Sequence, residues 1–120
     1  MLKRLITATA FLTALGAASA ALAHAHLNAQ QPAADSAVSA PPVLRLSFSE
    51  GVEPAFSTVS LTREGAVVAV QAVALDPANP KQLIVTPQQP LTAGRYEVKW
   101  HVVSVDTHKS EGHYAFEVTP

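Results

Sequence analysis

Arg95-Tyr96-Glu97-Val98-Lys99-Trp100-His101-Val102-Val103 is the stretch that decides the fold. Tyr96, Val98, Trp100 and Val102 alternate with Glu97, Lys99 and His101, the period of two that belongs to a strand with one apolar and one polar face. The same alternation recurs on both sides of it. Downstream, Tyr114, Phe116 and Val118 oppose His113, Ala115 and Glu117. Upstream, Leu44, Leu46 and Phe48 oppose Arg45 and Ser47, while Val59 and Leu61 alternate with Thr58, Ser60 and Thr62. A Val/Ala-rich run from Ala66 to Val73 and the short apolar Leu83-Ile84-Val85 are further strand candidates.

Breakers separate these runs: Pro32, Pro41-Pro42, Gly51, Pro54, Gly65, Pro77, Pro80, Pro87, Pro90, Gly94 and Gly112. Their spacing leaves no room for an amphipathic helix of useful length. About seven strands with turn signals every 8 to 12 residues predict an all-β fold, a small two-sheet Greek-key sandwich. Trp100, Phe48, Phe56, Tyr96, Tyr114 and Phe116 are its expected large core side chains. With 120 residues in all, one domain is the expectation.

The start of the chain speaks about compartment. Lys3 and Arg4 precede an uncharged stretch from Leu5 to Leu22, and Ala21-Leu22-Ala23 meets the small-x-small rule for signal peptidase. Residues 1–23 therefore read as a cleaved signal peptide and 24–120 as the mature domain, beginning His24-Ala25-His26-Leu27. The stretch is rich in Ala and Thr rather than in the Leu, Ile and Val of a spanning helix, and no later apolar run is long enough to cross a bilayer. A mature form that is exported and not membrane-embedded is the expectation. The chain has no cysteine, so an exported domain of this size must rely on core burial or a bound metal rather than disulfides. Without Lys3 and Arg4, six basic side chains face nine acidic ones. The basic ones are scattered singly, which excludes a nucleic acid partner.

Chemistry has few places to reside. With no cysteine, no Gly-x-Ser-x-Gly elbow and no phosphate loop, neither a thiol nucleophile nor those familiar catalytic motifs are available. What remains is five histidines, His24, His26, His101, His108 and His113, among acids. Imidazole and carboxylate without thiolate suit a borderline transition metal. Processing would make His24 the first residue, so that its free α-amine and its imidazole chelate one ion as a pair already tethered. Asp106-Thr107-His108 offers a second element, because side chains two apart in an extended segment lie on one side. His26 offers an alternative: amine, two backbone amides and a third-position imidazole form a square-planar Cu(II) or Ni(II) chelate, at the cost of pulling the first residues out of strand pairing. His101 and His113 fall on the polar faces of their strands. Surface residues are the expectation for both, with His113 near enough to the Asp106 segment to assist it.

Four blocks carry a resemblance: His24-Ala25-His26-Leu27, Leu46-Ser47-Phe48-Ser49-Glu50, Leu91-Thr92-Ala93-Gly94-Arg95-Tyr96 and Trp100-His101-Val102-Val103-Ser104-Val105-Asp106-Thr107-His108. In order and spacing they resemble the CopC family of periplasmic copper-resistance proteins, above all its YobA-like branch, from His24 to the end of the chain. The resemblance implies a cupredoxin-like or immunoglobulin-like sandwich that binds Cu(II) through His24, Asp106 and His108, and a CopD-like inner-membrane copper transporter as partner. One departure is visible. Some family members hold Cu(I) on a methionine-rich loop, whereas here Met1 is the only methionine and would leave with the signal peptide. Nitrogen and oxygen donors suit Cu(II), and Cu(I) prefers sulfur. The same lack of sulfur excludes a blue-copper electron carrier.

The function expected is therefore a periplasmic copper carrier or buffer, not an enzyme. Two rivals stand beside it. A histidine-brace copper oxidase also uses an N-terminal histidine, but needs an open metal position for substrate. A metal-free immunoglobulin-like interaction module would give no role to the N-terminus.

Overall fold

The computed structural model describes residues 25–120; the candidate signal peptide and His24 lie outside them. The decisive stretch is half of a long hairpin. β8 (Gly94–Val103) and β9 (Lys109–Val118) pair antiparallel in unbroken register, from Gly94 opposite Val118 to Val103 opposite Lys109. On the other side of β8 lies β4 (Thr58–Arg63). It turns into β5 (Ala66–Val68) through Glu64-Gly65, whose φ values of 49° and 87° are both left-handed, as a tight two-residue hairpin requires. β2 (Ala37–Val38) lies parallel along the far edge of β9. This gives a five-stranded sheet in the order β2-β9-β8-β4-β5.

The second sheet has the order β1-β3-β7-β6, from β1 (Leu27–Gln31), β3 (Leu44–Phe48), β7 (Asn79–Pro87) and β6 (Val70–Asp76). The chain changes sheets on entering and leaving β2, between β3 and β4, between β5 and β6, and between β7 and β8, so the alternating apolar faces of both sheets share one core. Leu44, Leu46, Leu83 and Val85 from one sheet and Leu61, Tyr96, Val98 and Phe116 from the other are all fully buried. Trp100 meets Phe48 edge-on at 5.2 Å, and Tyr96 stacks on Phe116 at 5.4 Å, arrangements favoured by the ring quadrupoles. Tyr96 also fixes the entry to β8: its hydroxyl donates to the Thr92 carbonyl at 2.7 Å and accepts from the Thr92 N–H at 2.9 Å, a tyrosine corner.

The two-sheet, all-β architecture agrees with the sequence pattern, and nine strands are present among the described residues. Three details differ. The Val/Ala run is two strands, because the chain leaves one sheet at Ala69 and enters the other; the apolar residues 66–70 carry no mark of that crossing. β1 is polar, Leu-Asn-Ala-Gln-Gln, an edge strand without alternation. Phe56, expected in the core, is 71% exposed. It ends a 3-10 turn, Pro54–Phe56. Its neighbour Ser57 takes the inward position, donating to the Glu53 carbonyl at 2.7 Å and accepting from the Val103 N–H at 3.1 Å.

Candidate metal centre

The β8–β9 hairpin ends in a five-residue loop, Ser104–His108. Ser104 N–H donates to the His108 carbonyl at 2.9 Å, and Thr107 N–H donates to the Ser104 carbonyl at 2.8 Å. Thr107 has φ of 73°, in the left-handed region. The loop is tied to the opposite side of the sandwich, where Val105 N–H donates to the Gly51 carbonyl at 3.0 Å and Ser104 bridges Val52.

Within it, Asp106 and His108 come together: Asp106 Oδ1 lies 3.3 Å from His108 Nδ1, with both side chains a little under half exposed. Their spacing had suggested convergence by strand alternation. The structure brings them together by the left-handed step at Thr107, which folds the segment into a turn. Ser104, fully buried, donates its hydroxyl hydrogen to Asp106 Oδ1 and accepts from the His108 N–H at 3.2 Å. That hydroxyl is the largest influence and holds the Asp106 carboxyl below its ordinary value; desolvation pushes the other way, and hydrogen bonding and charge from His108 add to the lowering. The carboxylate is thus ionised throughout the mildly acidic range.

The beginning of the described chain runs directly beside this loop. Ala25 is fully buried, and Ser110, two residues beyond His108, donates its hydroxyl to the Ala25 carbonyl at 2.7 Å. His26 is held on the other sheet: its N–H donates to Ser49 Oγ at 2.8 Å, and Ser49 N–H donates back to the His26 carbonyl at 2.8 Å. Ser104, Ser110 and Ser49 carry no motif and escape sequence reading; the one available hint is a serine two positions before Asp106. His24, the remaining candidate ligand, lies outside the described residues. Among the described residues no three His, Cys, Asp or Glu side chains converge as a metal-holding group; Asp106 and His108 supply two donors, one oxygen and one nitrogen.

The other histidines are engaged elsewhere. His101 Nε2 lies 2.9 Å from Glu111 Oε1, and His113 Nδ1 lies 3.4 Å from Glu97 Oε2. Both pairs sit on the outward face of the five-stranded sheet, away from the Asp106–His108 loop. Trp100, Tyr96 and Tyr114 are buried, so none offers the flat aromatic surface on which a polysaccharide would bind. No helix among the described residues is long and apolar enough to cross a membrane.

Fold and site together define a class: a small two-sheet sandwich with a nitrogen–oxygen donor pair at the tip of its longest hairpin and the first of its described residues, Ala25, stitched alongside. The CopC domain family matches residues 27–119, and the chain belongs to that family. It is 40% identical over 111 residues to Copper resistance protein C of Escherichia coli, covering 87% of this chain and 88% of that protein. It is 43% identical over 113 residues to Protein YobA of Escherichia coli, covering 92% and 91% respectively. Among solved structures it is similar to PcoC, described as a methionine-rich copper resistance protein from Escherichia coli, with a TM-score of 0.74, 42% identity and coverage of 80% of this chain and 99% of that one. It is also similar to CopC from Methylosinus trichosporium, with a TM-score of 0.75, 35% identity and coverage of 81% and 95%.

Proposed function

We propose that this chain is a copper-binding protein of copper resistance that carries Cu(II) in the periplasm as cargo, bound by the His24 amine and imidazole, the His108 imidazole and the Asp106 carboxylate. The observation that carries the reading is the Asp106–His108 pair at 3.3 Å, beside the Ser110–Ala25 hydrogen bond. Residue 24 directly precedes Ala25 in the chain, which supports the reading that a first residue at His24 shares an ion with His108. The donor set contains no sulfur. The relative described as methionine-rich differs here from a chain whose one methionine is Met1, which favours Cu(II) over Cu(I).

The peptide chelate through His26 fits the fold poorly. It needs the His26 amide deprotonated, and in the folded chain that N–H donates to Ser49. Residues 1–23 are read as a cleaved signal peptide and 24–120 as the working domain, which acts as a binder rather than an enzyme and passes copper to a CopD-like inner-membrane transporter. The test is Cu(II) titration of protein that begins at His24, followed by EPR. One ion per chain with a nitrogen-rich tetragonal spectrum supports the site. The same affinity from a chain carrying an extra residue before His24 sinks it.

A further inference from the structure

We infer that Ser104 is the positioning residue of this site, its buried hydroxyl holding the Asp106 carboxylate and the His108 main chain in the geometry that an incoming copper ion meets. The inference rests on the reading of Asp106 and His108 as ligands and adds what prepares them.

A polar side chain in a sandwich core needs hydrogen-bond partners, because an unmet buried hydroxyl is costly. Ser104 has no exposed surface, and its Oγ finds its partners in the loop itself. It donates to Asp106 Oδ1, accepts from the His108 N–H at 3.2 Å, and lies 3.2 Å from the His108 carbonyl oxygen. One atom therefore contacts both residues that bear the donors. Ser104 is itself anchored: its N–H donates to the His108 carbonyl at 2.9 Å, and its backbone bridges Val52. Asp106, by contrast, is a partly exposed side chain on a turn, where a carboxylate without an anchor samples several rotamers. The hydroxyl engages one carboxylate oxygen and leaves the other as a donor. The rotamer is thereby fixed before the metal arrives, and less freedom is lost on binding. Groups that orient metal ligands in this way typically contribute 10- to 100-fold to affinity.

The test uses the chain beginning at His24 and measures Cu(II) affinity by competition, with EPR on each bound form. Ser104→Ala should lower affinity about 10-fold and shift the EPR parameters, while Ser104→Thr, which keeps the hydroxyl, should stay within about 3-fold of the parent. In an Asp106→Ala background, Ser104→Ala should cost little more, because non-additivity is the signature of one residue acting through another. If Asp106→Ala and His108→Ala leave affinity unchanged, the copper reading itself fails. If they weaken binding and Ser104→Ala does not, Ser104 is no positioning residue. A Ser104→Ala loss of equal size with and without Asp106 means the hydroxyl does not act through the carboxylate and overturns the inference. Should Ser104→Ala not fold, Ser104→Thr carries the test, and a folded Thr variant that loses 10-fold overturns it.

Discussion

His108 and His26 are the rival imidazole donors of the two copper readings, and single substitutions separate them. His108→Ala should weaken Cu(II) binding by orders of magnitude and alter the EPR spectrum, whereas His26→Ala should change little, because its backbone is engaged by Ser49. Asp106→Ala should fall between them, a carboxylate beside three nitrogens being the weaker contact. A His26→Ala loss larger than that of His108→Ala would move the copper to the terminal peptide. Acid acts on the same residues. The folded-state Asp106 value is lowered, so the ionised carboxylate's contribution is present above its ordinary value of 3.8 and is lost only as pH falls through the lower folded value. Copper loss on acidification from neutrality to about pH 5 then falls to the nitrogen donors, which bind metal only when deprotonated. Asp106→Ala should therefore lower affinity at about pH 5 as well as at neutrality; an affinity at pH 5 unchanged by the substitution, read by titration, would contradict the assignment. At this scale the Asp106–His108 pairing was legible from its spacing. The left-handed Thr107 that creates it was not, since threonine is an unusual residue there.

The hairpin that presents the loop makes two predictions of its own. Thr107 pays for a positive φ that glycine adopts freely. Relief of roughly 1–2 kcal/mol of left-handed strain against roughly 0.5–1 kcal/mol of added unfolded-state entropy should leave Thr107→Gly more stable by a few tenths of a kcal/mol to about 1 kcal/mol. Denaturant unfolding measures this, and copper affinity should be retained. Gly112 lies opposite Trp100, and a Cβ there would stand 2.5 Å from Trp100 Cζ2. The indole is held edge-on by Phe48 and cannot slide away, so Gly112→Ala should cost about 1–3 kcal/mol and lower Tm by several degrees. An unchanged Tm would mean that the ring has room to move. β8, β9, β3 and β4 could be read from alternation because each buries one face. β1 could not, since an edge strand of mostly polar residues has no face to declare, nor could the sheet change at Ala69.

For the whole molecule, copper should act as a stabiliser, because an ion that joins residues 24 and 108 binds only the native chain. At free Cu(II) of 100 times Kd the gain is about 2.7 kcal/mol, visible as a rise in Tm that a Cu(II) chelator reverses. Reduction should undo it as well. Ascorbate with a moderate Cu(I) chelator should strip the metal from a site without sulfur, and retention of Cu(I) would refute the donor set. The compartment and the role of the first residue rest on Lys3 to Ala23 read as a processing signal, and that stretch lies outside the described residues. The stitching of Ala25 to Ser110 and of His26 to Ser49 was not legible, because it joins positions far apart in the chain through serines that no local pattern distinguishes.

Trp100 is the chain's one tryptophan, and its place over Gly112 makes it an optical probe built into the hairpin. Along β9, Gly112 is four residues from His108, about 13 Å at strand rise. Emission from this single indole, excited at a wavelength where tyrosine does not absorb, therefore reports on the strand pair that carries the loop, with no second tryptophan to overlap it. Its environment is apolar and shielded, so native emission should lie to the blue and move to the red as the hairpin opens. A paramagnetic ion at the loop should dim it in proportion to occupancy. Folding and metal loading can thus be followed at one wavelength on an unlabelled sample.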